Sequence, residues 1–235
     1  MSLAAPHHTN LAELLRRVAI FAELDEEGLR DLAARMQTRT FPAQAVIVTL
    51  EEPGESLFIV AEGRAKAVLY GESGREIILS MFRPGEFFGE MSLLDHRPRS
   101  ANVIALEDAK LYSLDRRSFE QHLARHRQTA LAMLAELSRR LRKADEVIGN
   151  LALLDVYARV GRILRDLAKE QGEQAEGGVL LRNRPTQQEM ASMVGTSRET
   201  VSRALSDFAK RGLLDISGRK ILLRWAFLRQ LDDAS

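Results

Sequence analysis

The segment FGEMSLLDHRPRSA, residues 88–101, places a carboxylate and a guanidinium at the two ends of one short stretch. Glu90 follows a glycine near its start, a hydrophobic run comes next, and Arg99 follows a basic tip near its end. A guanidinium meets an anion with two directed hydrogen bonds, and a carboxylate accepts hydrogen bonds from donors. Two interpretations stay open at this point: Glu90 and Arg99 pair with each other, or each binds a different part of a ligand.

A second segment with a specific pattern, TQQEMASMVGTSRETVSRALSDFAKRGLL, begins at Thr186. Thr186 with Glu189 three residues later predicts a capping box at a helix start. Gly195 predicts the tight turn, and Ser197 predicts the N-cap of a second helix. The inward-facing positions are expected to be Met190, Ala191, Val194, Val201 and Leu205. This order of features indicates a helix-turn-helix, against the alternative of a helical hairpin with a solvated charged face.

The second helix of this pattern presents polar side chains at the end that would enter a DNA major groove. An Arg can bond guanine O6 and N7 together, and a Glu can accept from cytosine N4. Hydroxyl groups at helix starts suit phosphates. The expected DNA-binding residues are Thr186, Ser197, Arg198, Glu199, Thr200, Ser202 and Arg203.

Short strands and two small helices are predicted around the segment 88–101. LAELLRRVAIFAEL and EEGLRDLAARM have apolar residues three and four apart, which is typical of amphipathic helices. From about Thr38, β-prone runs of five to eight residues alternate with turns such as Pro53-Gly54 and Pro84-Gly85. This spacing predicts a compact antiparallel barrel or sandwich.

A long helix is predicted from about Leu123 to Leu154. Its apolar residues are spaced three, four, three, four, three, which is the period of a coiled-coil seam. The seam consists of Leu134, Leu137, Leu141, Ala144, Ile148 and Leu151. We favour a dimer seam over a helix that lies on its own domain, because charges are dense off the seam.

The remainder of the chain, from Asp155, is expected to be rich in helix. DVYARVGRILRDLAKE predicts a helix, and QGEQAEGG predicts a polar loop. Ser217-Gly218-Arg219 between two apolar runs predicts a two-stranded wing behind the helix-turn-helix.

Composition limits the classes of protein. The chain has 235 residues, 45% of them hydrophobic, which suits one or two folded domains. No cysteine is present, which excludes disulfides and thiolate metal sites. Neither a membrane span nor a signal peptide is recognisable, so a cytoplasmic protein is expected. From residue 156 onward there are 14 Lys and Arg against 10 Asp and Glu, and before it 20 against 23, which hints at nucleic acid binding near the C-terminus.

Three motifs carry a resemblance to a known family: GTSRETVSRAL, GNLALLDVYARVGRIL, and FGEMSLL with RSA. Over residues 12–225 the chain resembles the cyclic-AMP receptor protein family of bacterial transcription regulators, the Crp/Fnr type. The resemblance implies an α+β fold: an N-terminal antiparallel β-roll, a long dimerisation helix and a C-terminal winged helix-turn-helix. The implied domains are 11–122 for the cyclic-nucleotide-binding β-roll with its N-terminal helices, 123–154 for the dimerisation helix and hinge, and 155–235 for DNA binding.

The resemblance also implies roles for the segment 88–101. Glu90 would bond the ribose 2′-hydroxyl of a cyclic nucleotide, and Arg99 would pair with its phosphate. The remaining implied ligand contacts are the Ser100 hydroxyl and the backbone amides of Gly89, Met91 and Ser92. In relatives that bind haem the β-roll holds the haem, and Glu90 with Arg99 argues against that here.

One departure from the family affects the base end of the implied site. Cyclic-AMP-binding members carry Thr and then Ser or Asn where this chain has Ala144 and Asp145. Ala144 offers no side-chain hydrogen bond, whereas Asp145 could accept from an adenine or a guanine edge. The identity of the base therefore stays open, and Arg97 could serve a second phosphate of a cyclic dinucleotide.

The resemblance implies a homodimer that binds double-stranded DNA at a TGTGA-like palindrome, gated by cyclic AMP or another cyclic nucleotide. No Ser-His-Asp order or paired acid motif is recognisable in the sequence, so a protein without enzymatic activity is expected. RNA polymerase is an expected partner, no membrane is expected, and no cofactor or metal is expected. His122 and His126, four residues apart on a helix, lack a third ligand at a recognisable spacing. Two alternatives stay open: a regulator of the same fold that needs no ligand or responds to cyclic di-GMP, and a nucleotide-binding regulatory domain of an enzyme assembly.

Overall fold

The computed structural model describes residues 7–232, and the side chains of residues 11–230. The chain divides into two compact units, the first ending at Lys143 and the second beginning at Ala144, with Gly71–Ile77 grouped with the second. In the described part no helix is long and apolar enough to cross a membrane.

The first unit starts with two short helices, as the sequence predicts. They are α1, His7–Arg17, and α2, Glu26–Arg35. Asp25 caps α2 by accepting a hydrogen bond from the backbone N–H of Gly28 at 2.8 Å. The first predicted segment is only partly helical, because its second half, VAIFAEL, forms turns that bury Phe21.

Antiparallel strands form the β-roll, which confirms the predicted barrel or sandwich. The strands are β1 Gln37–Phe41, β2 Val46–Val48, β3 Ser56–Glu62, β4 Ala65–Tyr70, β5 Glu76–Phe82, β6 Phe87–Phe88, β7 Asn102–Ala105 and β8 Ala109–Asp115. Their order is β1-β8-β3-β6 in one sheet and β2-β7-β4-β5 in the other. Leu57 pairs with Leu114, and Phe58 pairs with Phe88. A short helix, α3 (Glu90–Asp95), follows β6 directly.

Two apolar clusters fill the first unit. One lies inside the β-roll and includes Val60, Phe82 and Phe88. The other packs the N-terminal helices on β3, β8 and the helices that follow, with Phe21 and Phe119 fully buried. Burying such large apolar side chains stabilises the fold that carries the segment 88–101.

The predicted helix from Leu123 to Leu154 is observed as two helices with a break between them. They are α4, Arg116–Arg125, and α5, Arg127–Leu153. His126 has φ −120° and ψ 84°, which is not helical, and it separates the two. Leu123 therefore belongs to α4, which Asp115 caps, and the long helix begins at Arg127.

The second unit is a winged helical domain with a four-stranded sheet. Its elements are α6 Val156–Gln171, β9 Glu173–Ala175, β10 Gly178–Leu181, α7 Gln187–Val194, α8 Arg198–Lys210, β11 Leu214–Ser217, β12 Lys220–Arg224 and α9 Trp225–Asp232. The sheet order is β11-β12-β10-β9. The predicted wing is confirmed as β11 and β12. The polar loop QGEQAEGG was predicted wrongly, because most of it forms β9 and the turn of the β9–β10 hairpin.

Candidate ligand pocket and nucleic-acid interface

Gly89 makes the sharp entry from β6 into α3. Its φ of +87° is a left-handed conformation that favours glycine. A Cβ atom there would lie 2.6 Å from Nη1 of Arg99 and 2.8 Å from the carbonyl oxygen of Ser56. Only a glycine therefore lets the backbone approach the Arg99 guanidinium this closely.

Arg99 is a buried cation, 8% exposed, and its guanidinium lies beside Gly89, the residue before α3. Its Nη1 donates to the carbonyl oxygen of Gly89 at 2.9 Å, and its Nη2 donates to the carbonyl oxygen of Ser56 at 2.8 Å. Burial lowers the pKa of Arg99, but a guanidinium remains charged in proteins. The fold thus holds a fixed positive charge beside Gly89, a charge that suits an anionic ligand group.

Glu90 is a buried carboxylate, 2% exposed, directly after Gly89. Its Oε1 accepts a hydrogen bond from Nη1 of Arg140 at 2.9 Å, whereas its buried Oε2 has no partner among the described residues. Burial raises the pKa of Glu90, and the charge of Arg140 opposes that rise. An unsatisfied buried acceptor costs free energy that a hydroxyl donor would remove. The interpretation that Glu90 and Arg99 pair with each other is wrong, since each bonds other groups.

Arg140 on α5 is a site residue that the sequence analysis missed. Its Nε donates to Oε1 of Glu136 at 2.9 Å, and its Nη2 donates to the carbonyl oxygen of Phe87 at 2.9 Å. Its guanidinium lies 4.5 Å from the centre of the Phe87 ring, which adds a cation–π contact. In the basic run SRRLRK no residue stands out, so only the packing of α5 on β6 identifies Arg140.

Arg116, at the start of α4, is the second residue that the sequence analysis missed. Its guanidinium donates to three carbonyl oxygens, those of Gly54 at 2.8 Å, Ser92 at 3.0 Å and Leu93 at 3.1 Å. It also donates to Oε2 of Glu55 at 3.1 Å. One cation therefore ties α3 to the loop before β3 and to α4.

The remaining predicted ligand residues differ in exposure. Ser92 is buried, whereas Met91 and Ser100 are exposed, and the Ser100 hydroxyl donates to the Met91 sulfur at 3.8 Å. The side chain of Arg97 is exposed. Asp145 is exposed and belongs to the second unit, so its place at the ligand stays a prediction.

The predicted helix-turn-helix is present as α7, a turn and α8. The capping box is complete, with the Glu189 N–H donating to Oγ1 of Thr186 at 3.1 Å and the Thr186 N–H donating to Glu189. Gly195 has φ +73° and ends α7. Ser197 caps α8 by accepting from the Thr200 N–H at 3.2 Å. The five predicted apolar positions are all buried, namely Met190, Ala191, Val194, Val201 and Leu205.

The outer face at the start of α8 is charged and accessible. Arg198, Glu199 and Arg203 are exposed, and Ser202 is partly buried. Nη2 of Arg203 donates to the Thr200 hydroxyl at 3.3 Å, which holds the guanidinium along the helix. A hydrogen bond from its own backbone N–H lowers the pKa of Glu199, which favours the charged acceptor form. This face offers both donors and an acceptor to base edges.

A basic crevice lies between the wing and the start of α7. Arg184, Arg198 and Arg219 line it together with Thr186, Gln187 and Gln188. Nη2 of Arg184 donates to the carbonyl oxygen of Gly218 in the wing turn at 3.2 Å. Burial and the neighbouring Arg219 lower the pKa of Arg184. Arg184 and Arg219 could not be selected from the sequence, because their approach to Thr186 depends on how the wing folds back.

The His122 and His126 rings stack with their centres 4.5 Å apart at the junction of α4 and α5. Nε2 of the buried His122 lies 3.1 Å from the hydroxyl of Thr129. Within the described residues no group of three or more His, Asp or Glu side chains could hold a metal ion. The pair therefore belongs to the packing of the first unit.

Two family models match the chain, one for each unit. The cyclic nucleotide-binding domain matches residues 38–126, and the Crp-like helix-turn-helix domain matches residues 158–231. The first match contains the buried Glu90 and Arg99, and the second contains the helix-turn-helix.

Curated relatives extend over nearly the whole chain. It is 33% identical over 211 residues to the CRP-like cAMP-activated global transcriptional regulator of Mycobacterium tuberculosis, covering 90% of this chain and 94% of that protein. It is 36% identical over 199 residues to the cyclic AMP receptor protein of Thermus thermophilus, covering 84% and 89%. Among solved structures, the c-di-GMP responsive global regulator CLP of Xanthomonas campestris matches with a TM-score of 0.73 and 28% identity, covering 85% of this chain and 99% of that chain.

Proposed function

The chain belongs to the Crp/Fnr family of transcription regulators, a family of cyclic-nucleotide-binding, DNA-binding proteins and not of enzymes, and from this premise we propose how it is gated. A cyclic nucleotide binds at Glu90 and Arg99 in the β-roll and changes the affinity of a homodimer for a palindromic DNA site. The observation that carries the proposal is the pair of buried charges beside Gly89. Arg99 supplies a fixed cation, and Glu90 keeps one buried carboxylate oxygen that has no partner within the described part of the chain.

Cyclic AMP is the proposed ligand. Its phosphate carries one negative charge for Arg99, and its ribose 2′-hydroxyl is a donor for Oε2 of Glu90. The proposed further contacts are the Ser100 hydroxyl and the backbone N–H groups of Gly89, Met91 and Ser92, with Asp145 at the base. The names of the relatives from Mycobacterium tuberculosis and Thermus thermophilus support cyclic AMP for this chain.

The proposed dimer forms through α5. Leu134, Leu141 and Ile148 lie one heptad apart and are each more than 60% exposed in the single chain. A column of exposed large apolar side chains at this period supports a coiled-coil seam with a second copy. Two copies related by a two-fold axis suit a palindromic site.

The proposed DNA site is a TGTGA-like palindrome read by α8. Arg198, Glu199 and Arg203 contact base edges, and Ser202 lies between them on the same helix. Thr186, Ser197 and Thr200 contact phosphates, joined by Arg184 and Arg219 of the basic crevice. We also propose RNA polymerase as a partner and the cytoplasm as the site of action.

Isothermal titration of the protein with cyclic AMP, and band shifts on a TGTGA palindrome with and without it, test the proposal. We expect micromolar binding and a change of at least fivefold in DNA affinity. Arg99→Ala should lose nucleotide binding, because it removes the fixed cation, while its DNA affinity without nucleotide is unchanged. Operator affinity that is equal with and without every cyclic nucleotide would instead support a ligand-independent regulator.

A second candidate ligand is cyclic di-GMP. The likeness to the c-di-GMP responsive regulator of Xanthomonas campestris favours it, as does the exposed Arg97, two residues before Arg99, which suits a second phosphate. Titration with cyclic di-GMP separates the two candidates. Binding that is tighter than that of cyclic AMP and weakened by Arg97→Ala would replace the first proposal.

A further inference from the structure

The heptad register of α5 places Arg140 and Asp145 on the two flanks of its apolar seam. With Leu134, Leu141 and Ile148 at position a, the d positions are Leu137, Ala144 and Leu151. Arg140 then occupies position g and Asp145 position e. These are the positions whose side chains meet across a two-stranded coiled coil.

In a parallel pair of helices, a g residue faces the e residue five positions later on the partner helix. For Arg140 that residue is Asp145 of the partner subunit. The other e and g residues of α5 are uncharged, namely Leu131, Met133, Ser138, Val147 and Ala152. An antiparallel pair would instead set g against g and e against e, so that Arg140 faces either an uncharged residue or a second Arg140, and never Asp145. The charge pattern therefore favours the parallel arrangement with two symmetric Arg–Asp pairs.

Arg140 has hydrogen-bonding capacity left for this second partner. Its three nitrogens donate to Glu136, Glu90 and the carbonyl oxygen of Phe87, which uses three of its five N–H groups. Its side chain is 33% exposed, so an approach from outside the first unit is open. Asp145 is itself exposed in the single chain.

We propose that Arg140 is shared between the ligand pocket and the dimer seam: it holds Glu90 of its own protomer and bonds Asp145 of the partner subunit. This inference rests on the proposed dimer and nucleotide site and deepens them. Arg140 is a positioning residue in this proposal, because its bond to Glu90 sets the charge and orientation of that carboxylate. Asp145 thereby acts on the pocket of the opposite protomer, whichever base the nucleotide carries.

A double-mutant cycle on dimerisation, measured by sedimentation equilibrium without nucleotide, tests the pair. Arg140→Gln and Asp145→Asn should each weaken the dimer roughly fivefold, since two exposed pairs are lost per dimer. The double variant should be no weaker than the weaker single variant. As a matched control, Arg139→Gln at the outward position f should be additive with Asp145→Asn, since Arg139 is exposed and is not a helix neighbour of Asp145. Additive effects of Arg140→Gln and Asp145→Asn would overturn the pair.

A second variant guards against a trivial loss of folding, since Arg140→Gln also removes the bond to Glu90. Asp145→Arg leaves Glu90 and Arg140 in place and sets a like charge across the seam. It should weaken the dimer roughly tenfold, and Arg140→Gln should relieve most of that loss. A tight nucleotide-gated dimer without this relief would overturn the inference alone. A chain that stays monomeric at every concentration would overturn the proposed dimer and the inference with it.

Discussion

The two charges of the candidate pocket are held by groups that are far from them in sequence. Glu90 bonds Arg140, 50 residues later, and Arg99 bonds the carbonyl oxygen of Ser56, 43 residues earlier. The sequence alone identifies Glu90 and Arg99 as candidate ligand residues, because the Gly-Glu and Arg-Ser-Ala motifs that contain them are part of the resemblance to the Crp/Fnr family. It was insufficient to select Arg140, because an arginine on a helix has the same local pattern whether it faces water or a buried carboxylate.

His122 gives the first unit a pH-dependent stability. Burial, followed by the neighbouring His126, lowers the pKa of His122 from 6.5 to about 4. The unfolded chain therefore binds the proton more readily than the folded chain. The free energy of unfolding of the first unit is highest above pH 6.5, where His122 is neutral in both states, and it decreases as pH falls towards 4. The loss should approach about 3 kcal/mol. Hydrogen exchange of first-unit peptides at pH 7 and at pH 4.5 measures it.

The control for this prediction is His122→Gln, which removes the titrating ring and keeps a polar side chain near Thr129. Its protection should change less between the two pH values than that of the wild type. Fluorescence of Trp225, the one tryptophan of the sequence, reports on the second unit and should not follow the same change. An equal pH response in the variant would assign the effect to other groups.

At the scale of elements, the entry of β6 into α3 depends on Gly89. Gly89→Ala would place a Cβ atom 2.6 Å from Nη1 of Arg99. The guanidinium must then move, so we expect a loss of at least roughly tenfold in nucleotide affinity. Titration calorimetry measures it.

Gly85→Ala is the matched control for that substitution. Gly85 has nearly the same φ, +90°, but among the described residues its Cβ would come within 4 Å of the Arg17 carbonyl oxygen alone, at 3.9 Å. Both variants therefore carry similar backbone strain, and only Gly89→Ala displaces Arg99. Equal nucleotide affinities of the two variants would show that the Arg99 position does not depend on Gly89.

Element boundaries were predicted well where a side chain marks them and poorly elsewhere. Thr186, Ser197 and Gly195 mark the ends of α7 and α8, because caps and a left-handed glycine have local chemical signatures. The break at His126 has no such signature, because it coincides with a ring contact between His126 and His122 that the sequence does not show. The strand β9 was missed for the same kind of reason: its exposed polar residues form a strand only because β10 lies beside them.

At the scale of the whole molecule, the proposed dimer would place two copies of α8 at two half-sites about 34 Å apart on one face of the DNA. Arg203→Ala should cost about 1–3 kcal/mol on a TGTGA palindrome and relax the preference for that sequence. Arg219→Ala should weaken binding to all DNA sequences about equally. It should also reduce the slope of log K against log salt concentration by about 1. Band shifts at several salt concentrations, on matched and scrambled palindromes, separate these outcomes. Full affinity and full preference in Arg203→Ala would contradict the proposed contact.

The contacts of Arg116 have a consequence for how such a protein diverges. Three of its hydrogen bonds end on main-chain oxygens, those of Gly54, Ser92 and Leu93. A carbonyl oxygen is present whatever side chain a residue carries, so the exposed side chains of α3, such as Met91, can be exchanged over generations while the helix keeps its position. Natural selection can therefore change the ligand preference of the proposed pocket one side chain at a time, without rebuilding the frame that holds it.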